Sequence, residues 1–227
     1  MILKPVISAD DAACRIKEGD ILMVGGFMDC GAPHTIIMAL KDKETKNLTL
    51  ISNDTATHNF KSGKITGVGY LVQKKMFKTI ITSHIGLNQE AQRQMNTGET
   101  AFDLIPQGTL AEQVRAGGAG LGGFLTPTGV GTEVAKGKQI IYAGQRPFLL
   151  ELPIKADVAI IKAKKADKAG NLQYNGTARN FNPLMATAAT LVIAEAEEIV
   201  EIGEINPNDV HTPSIFIDFL VRTEQLK

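Results

Sequence analysis

The chain has 227 residues, 44% hydrophobic and 21% charged, with 24 basic side chains balanced by 24 acidic ones. That length suits a single α/β domain, expected to span residues 1–227 and to bury roughly 70% of the unfolded surface without staples. The charge balance gives no footprint for nucleic acid and no attraction to a membrane, so the expected partners are small molecules and proteins.

In chain order, Ser8 and Asp11 stand at capping-box spacing and predict a first helix ending near Glu18-Gly19. Ile21–Val24 is a short apolar run that stops at Gly25-Gly26, a strand, and a helix follows from Pro33 with Ile36, Ile37 and Leu40 on one face. The alternation repeats: strand 48–51 ending at Ser52-Asn53-Asp54, strand 77–82 ending at Ser83-His84, helix 88–96 closed by Gly98, and strand 100–105. After the Pro106-Gln107-Gly108 turn, Thr109 and Glu112 have capping-box spacing for a short helix terminated by Gly117. Residues 138–142 and 148–152 read as a hairpin about Ala143-Gly144-Gln145, and 158–162 as a strand. Ala169-Gly170-Asn171 is a turn, Asn182-Pro183 reads as a cap and first residue of another helix, Leu191-Val192-Ile193 is apolar, and 215–220 reads as the last strand.

Buried apolar strands alternating with helices predict an α/β fold, a mostly parallel sheet flanked by helices with an added hairpin. Ligand crevices in such sheets lie at the carboxyl ends of the strands. The residues expected along that rim are Gly25-Gly26-Phe27, Ser52-Asn53-Asp54, Ser83-His84-Ile85-Gly86 and Pro106-Gln107-Gly108.

Two cysteines, Cys14 and Cys30, make no disulfide framework, and His34, His58, His84 and His211 have no paired metal spacing, so no metal is expected. Cys30 reads as a small residue filling a tight loop rather than as a nucleophile. The first twenty residues carry Asp10, Asp11, Glu18 and Asp20 and no long apolar run, which argues against a signal peptide. No stretch approaches membrane-spanning length, and a cytoplasmic protein is expected.

Seven of the 22 glycines fall between Gly117 and Gly131. Clustered glycines imply unusual dihedrals or close approach of a ligand to the backbone. Gly118-Ala119-Gly120-Leu121-Gly122-Gly123 is literally G-x-G-x-x-G, the pattern of a dinucleotide site in an NAD-dependent oxidoreductase. Such a site needs a strand before it and a helix after it, whereas a helix precedes this run and Leu125-Thr126-Pro127 follows. A non-catalytic ligand-binding or scaffolding subunit is the second alternative. Against it stands the expected convergence of Gln107, Asn53, Ser83 and Thr126 with the glycine loop, since polar side chains at a concave rim are not needed for packing.

A third reading rests on resemblance. Val24-Gly25-Gly26-Phe27 followed by Cys30-Gly31-Ala32-Pro33 resembles the signature of the family I coenzyme A transferases. Further blocks resemble the same family in order: residues 50–55, Ser83-His84-Ile85-Gly86, residues 106–113, 115–132, 169–172 and 178–183. The alpha subunits of acetate, acetoacetate and butyrate CoA-transferases are the most similar branch. Glu18 stands where the signature usually has Asp or Asn; Leu87 and Leu121-Gly122-Gly123 differ from the fused ketoacid enzymes, pulling toward short-chain acid enzymes.

The resemblance implies that acyl-CoA and short-chain carboxylic acids are the substrates, with coenzyme A a substrate and no tightly bound cofactor. It implies ping-pong transfer through a glutamate in a Glu-Asn-Gly-type motif of a beta subunit, within a heterodimer or heterotetramer. That motif is missing here, since Tyr174 precedes Asn175-Gly176. A carboxylate nucleophile needs donors for the oxyanion that forms. By resemblance Gln107 supplies such a donor, the stretch Gly25, Gly26, Phe27, Met28, Asp29, Cys30 and Gly31 meets CoA, and Asn53, Ser83, Gly118 and Gly120 meet substrate.

Overall fold

The structure, a computed structural model, describes residues 3–224. Its strands are β1 (Val6–Ile7), β2 (Ile21–Val24), β3 (Leu48–Ser52), β4 (Phe77–Thr82), β5 (Ala101–Leu104), β6 (Phe124–Thr126), β7 (Ile140–Ala143), β8 (Arg146–Glu151), β9 (Ala156–Asp167), β10 (Leu172–Gln173), β11 (Ala189–Val200) and β12 (Phe219–Arg222). The helices are α1 (Ala9–Arg15), α2 (His34–Lys43), α3 (Gly69–Gln73), α4 (Gln89–Thr97), α5 (Gln107–Gly118) and α6 (Asn182–Thr187).

The main sheet runs β1-β12-β11-β9-β2-β3-β4-β5, parallel at every step, with β10 added antiparallel to β9. Strands β2 to β5 step outward in chain order, and the chain then returns to place β9 on the other side of β2. Alternation along each strand feeds two cores. Leu22, Val24 and Leu50 face α1 to α4 through Ala13, Ile16, Ile36, Leu40, Leu71 and Ala91, while Met23 and Ile51 join the cluster holding Leu110 and Val114 of α5 and Met185 of α6. Helices therefore cover both faces, as a parallel sheet requires.

The expected hairpin is present as β7 and β8, and β6 at the end of the glycine run adds an unanticipated third strand beside β8. β1, β10 and α3 were also not anticipated; two of them are two residues long and α3 is a five-residue turn about Gly69. Several boundaries differ from expectation. α1 stops at Arg15 because Ile16, fully buried, turns into an extended cap. Thr109 does not cap α5: the helix opens directly after Pro106, Leu110 N–H returns to Pro106 O, and Thr109 is buried inside the first turn. The same helix continues past Gly117 to Gly118.

The last strand begins at Phe219, where it comes into register with Ile193, since Pro213 leads residues 214–216 into a 3-10 turn. β9 and β11 extend to 12 residues each, with Lys162, Lys164 and Lys165 paired across the strands with Glu197 and Glu198 (3.6, 2.8 and 3.3 Å) at and beyond the expected end at residue 162. Among the described residues no helix is long and apolar enough to cross a membrane.

α2 has no side-chain cap of its own. Its second and third N–H groups, on Thr35 and Ile36, donate instead to the carboxylate of Glu195, a fully buried residue of β11, at 2.9 and 3.3 Å. Thr35 Oγ1 and Thr223 Oγ1 also donate to Glu195. An acid at a helix amino end satisfies orphan donors and complements the dipole. Burial nonetheless pushes the Glu195 carboxyl above the usual carboxylate range, against the pull of Lys162 and the donors.

A raised value means the folded state holds the proton more tightly than the unfolded chain. The contribution is then whole below the ordinary carboxylate range and declines as pH rises through the raised value. In Glu195→Gln, which mimics the protonated form, the Tm advantage of wild type over variant is expected to be largest in acid and to shrink toward neutral pH. An advantage that is flat or grows with pH would contradict this origin.

Candidate active site

Because β2, β3, β4 and β5 are parallel and in register, their carboxyl ends emerge on one edge, beside the middle of β9. β2 hands its chain to Gly25, whose N–H bonds Ile160 O of β9 at 2.9 Å. Gly25 has no room for a side chain: a Cβ would stand 1.9 Å from Oδ1 of Asn182. Gly31, at φ +76°, would place one 2.5 Å from Ala178 O.

Between them Phe27 and Cys30 exchange both backbone hydrogen bonds (3.0 and 2.9 Å), which closes a two-residue turn at Met28-Asp29. Both turn residues have positive φ, 47° and 80°. That is the geometry of a type I′ turn, ordinarily Asn-Gly, and other side chains are strained there by roughly 1–2 kcal/mol per residue. One hydrogen bond offsets the strain. Met28 N–H donates to Asp54 Oδ2 at 2.8 Å, while Asp29 Oδ1 lies 3.0 Å from Nε2 of His34 at the start of α2 without a hydrogen bond. A cleft of about 10 Å³, room for one water, remains between Gly25, Gly26, Asp29, Ser52 and Asp54.

β3 delivers Asn53 and Asp54, both buried. Ser83, at the end of β4, donates N–H and Oγ to Asn53 O (3.0 and 2.6 Å) and so ties the two strand ends together. Asn53 Nδ2 donates to Asp54 Oδ2 at 2.8 Å, leaving its Oδ1 to accept from Nε2 of Gln107 at 3.2 Å. Gln107 is the first residue of α5 and its side chain is exposed. One Nε2 proton is committed to Asn53; the second has no partner among the described residues. A cleft of about 410 Å³ opens beside Pro106, lined by Asp103, Leu104, Glu133, Lys136 and Lys138.

The rim thus gathers Gly25 to Gly31, Asn53, Ser83 and Gln107, but not Gly118 or Gly120. Gly118 and Gly120 lie at the other end of the strands, with Lys155, Ala156 and Ala189 at the beginnings of β9 and β11. α5 starts at the rim and its 12 residues carry the chain about 18 Å away. Gly117 and Gly118 pack there: a Cβ would stand 2.0 Å from Ile154 O and 2.0 Å from Thr187 Oγ1. Thr126 is likewise occupied locally, accepting from Thr128 N–H. The expected convergence therefore holds for Gln107, Asn53 and Ser83 and fails for Gly117, Gly118 and Gly120; Thr126 stands in β6 beside β8. The G-x-G-x-x-G run has α5 before it and β6 after it, the reverse of a dinucleotide site.

Sequence reasoning missed Asn182. It is the first residue of α6 rather than its cap, and its fully buried amide donates to Gly31 O (3.1 Å) and Ala178 O (2.8 Å) while accepting from Lys162 N–H (3.1 Å). Asn180 Nδ2 adds a bond to Cys30 O at 2.9 Å. The block from Ala178 to Pro183 is thus the clamp that holds the first glycine turn.

The model of the Coenzyme A transferase family matches residues 6–223. The chain belongs to that family. The alpha subunit of the acetate CoA-transferase of Escherichia coli (strain K12) is 46% identical over 222 residues, covering 98% of each chain. The corresponding subunit of a probable succinyl-CoA:3-ketoacid coenzyme A transferase of Bacillus subtilis (strain 168) is 47% identical over 218 residues, covering 96% of this chain and 89% of that one. Overall identity therefore does not separate the acetate from the ketoacid branch. An acyl-CoA transferase of E. coli O157:H7, solved as a thioester complex with CoA, shares the fold at a TM-score of 0.86 and 20% identity, over 99% of this chain and 48% of that one. This CoA transferase chain spans about half the length of that solved protein.

Two substitutions separate packing from binding in these glycines. Gly118→Ala is expected to lower Tm and leave acyl-CoA affinity of the folded, assembled protein unchanged, as fits its contact with Thr187. Gly25→Ala is expected to lower both, because the displaced Asn182 amide holds the rim. Weaker acyl-CoA binding by Gly118→Ala at unchanged Tm would return the glycine loop to the site.

Proposed function

We propose that this chain is the alpha subunit of a short-chain acyl-CoA:carboxylate CoA-transferase, with acetate as acceptor and acetoacetyl-CoA or butyryl-CoA as donor, acting in the cytoplasm. The observation that carries the reading is an oriented pair of amides, Asn53 and Gln107, with no free carboxylate among its bonded partners. Asp54, the carboxylate that meets the pair, has both oxygens filled, Oδ2 by Met28 N–H and Asn53 Nδ2 and Oδ1 by Ala56 N–H at 2.7 Å. An amide pair whose one bonded carboxylate is already filled supplies donors and no nucleophile of its own, which is half of a site. The acetate relative supports the acceptor, and the names of both relatives, each one subunit of its enzyme, support a partner.

The partner's glutamate attacks the thioester carbonyl, and the CoA thiolate leaves as an acyl anhydride forms. The thiolate then attacks the glutamyl carbonyl, releasing the acyl group as a carboxylate and leaving CoA on the glutamate as a thioester. The acceptor acid reverses these steps. Each addition puts negative charge on a carbonyl oxygen, and we assign the free Nε2 proton of Gln107 to meet it. Exposed Phe27 and Leu87 on the same edge give the partner apolar surface to cover.

Neither this chain nor its partner is expected to exchange CoA between butyryl-CoA and acetate by itself, and the mixture should. Exchange by the isolated chain would contradict the shared site. Gln107→Ala in the assembled enzyme is expected to lower kcat about 100-fold, equivalent to roughly 3 kcal/mol for a lost oxyanion donor, with a much smaller change in KM. An unchanged kcat would remove Gln107 from the site.

A further inference from the structure

The two halves of the rim, the strained turn at Met28-Asp29 and the amide pair Asn53–Gln107, share one group. Asp54 Oδ2 accepts from Met28 N–H on one side and from Asn53 Nδ2 on the other, both at 2.8 Å. Its Oδ1 is anchored by Ala56 N–H, and Ser52 Oγ donates to its backbone oxygen at 2.8 Å. The residue is buried, so this carboxylate is fixed in place and little screened.

We propose that Asp54 is a positioning residue for the transfer reaction, setting through Asn53 the direction in which Gln107 presents its amide. An amide has two ends, and beside a carboxylate acceptor only its NH2 end is tolerated. Asn53 must therefore turn Nδ2 to Asp54 and Oδ1 to the opposite side. Gln107 must then offer Nε2 to that oxygen, which brings its donor end rather than its carbonyl end to the rim. The same charge holds Met28 N–H and hence the left-handed turn of the first glycine segment. Asp54 attacks nothing, since both its oxygens are in use.

The proposal rests on the transferase reading above, and its test separates the two. In the assembled enzyme Asp54→Asn removes the charge that dictates the amide direction at nearly constant volume. We expect kcat to fall about tenfold or more, the range for a lost charge-assisted hydrogen bond, with any rise in KM for acyl-CoA, through the loosened Met28 turn, smaller than the fall in kcat. Placed on Gln107→Ala, the same substitution should cost less than about twofold further, because the residue it acts through is gone. Asp54→Ser, whose hydroxyl can keep the Ala56 bond, should behave alike.

Wild-type kcat in a folded Asp54→Asn complex, or a full loss that persists in the Gln107→Ala background, would overturn the proposal. So would failure of both Asp54 variants to assemble, which would leave only a structural role. If the wild-type pair exchanges no CoA, the transferase reading fails by itself. Side-chain amide NMR of the full chain then decides: Asp54→Asn should shift both the Asn53 and the Gln107 NH2 resonances, and an unmoved Gln107 would refute the coupling.

Discussion

Parallel register is the constraint from which the rest follows. Val24 opposite Ser52, and Thr82 opposite Leu104, mean that β2 to β5 run out at a common edge. Polar residues that are far apart in sequence, Asn53 and Gln107 among them, become neighbours only because of this. A parallel sheet must be covered on both faces, so the helices occupy its flanks and leave the edge free for chemistry.

The edge is stabilised by polar groups that replace missing side chains. Gly25 and Gly31 give up their Cβ atoms so that the Asn182 amide can bridge the first turn to α6. Glu195 caps α2 from a different strand, and Asp54 ties the turn to the end of β3. Each is buried and bonded to backbone N–H or C=O groups from distant segments. Breaking any one leaves orphaned donors or acceptors, so the rim is rigid and correspondingly intolerant to substitution.

Much of this was legible in the sequence. Apolar runs such as Ile21–Val24 and Phe77–Thr82 are strands at the expected places, and the small and polar residues after them mark the rim, because both signals are local. Asn88 and Gly98 bracket α4 for the same reason. What could not be read were long-range substitutions for local rules. Asn182 looks like a cap but commits its amide to Gly31 and Ala178, α2 shows no cap because Glu195 supplies it, and β9 and β11 hide their length behind lysines and glutamates that pair only when the strands meet. The glycine loop is the instructive case. Its glycines are real conformational signals, with Gly120 and Gly129 at positive φ, but the sequence does not record that α5 carries Gly117, Gly118 and Gly120 to the far end of the sheet while Gly129 packs on Val134 beside the Pro106 cleft.

The most direct measurement is a structure of the chain assembled with its partner and trapped with CoA bound as a thioester. We expect the partner's reactive carboxylate over the rim, with Gln107 Nε2 within about 3 Å of the thioester carbonyl oxygen and the Gly25–Gly31 turn against the CoA arm. A thioester held elsewhere, with Gln107 and Asn53 turned away from it, would contradict the view that this edge is half of the active site.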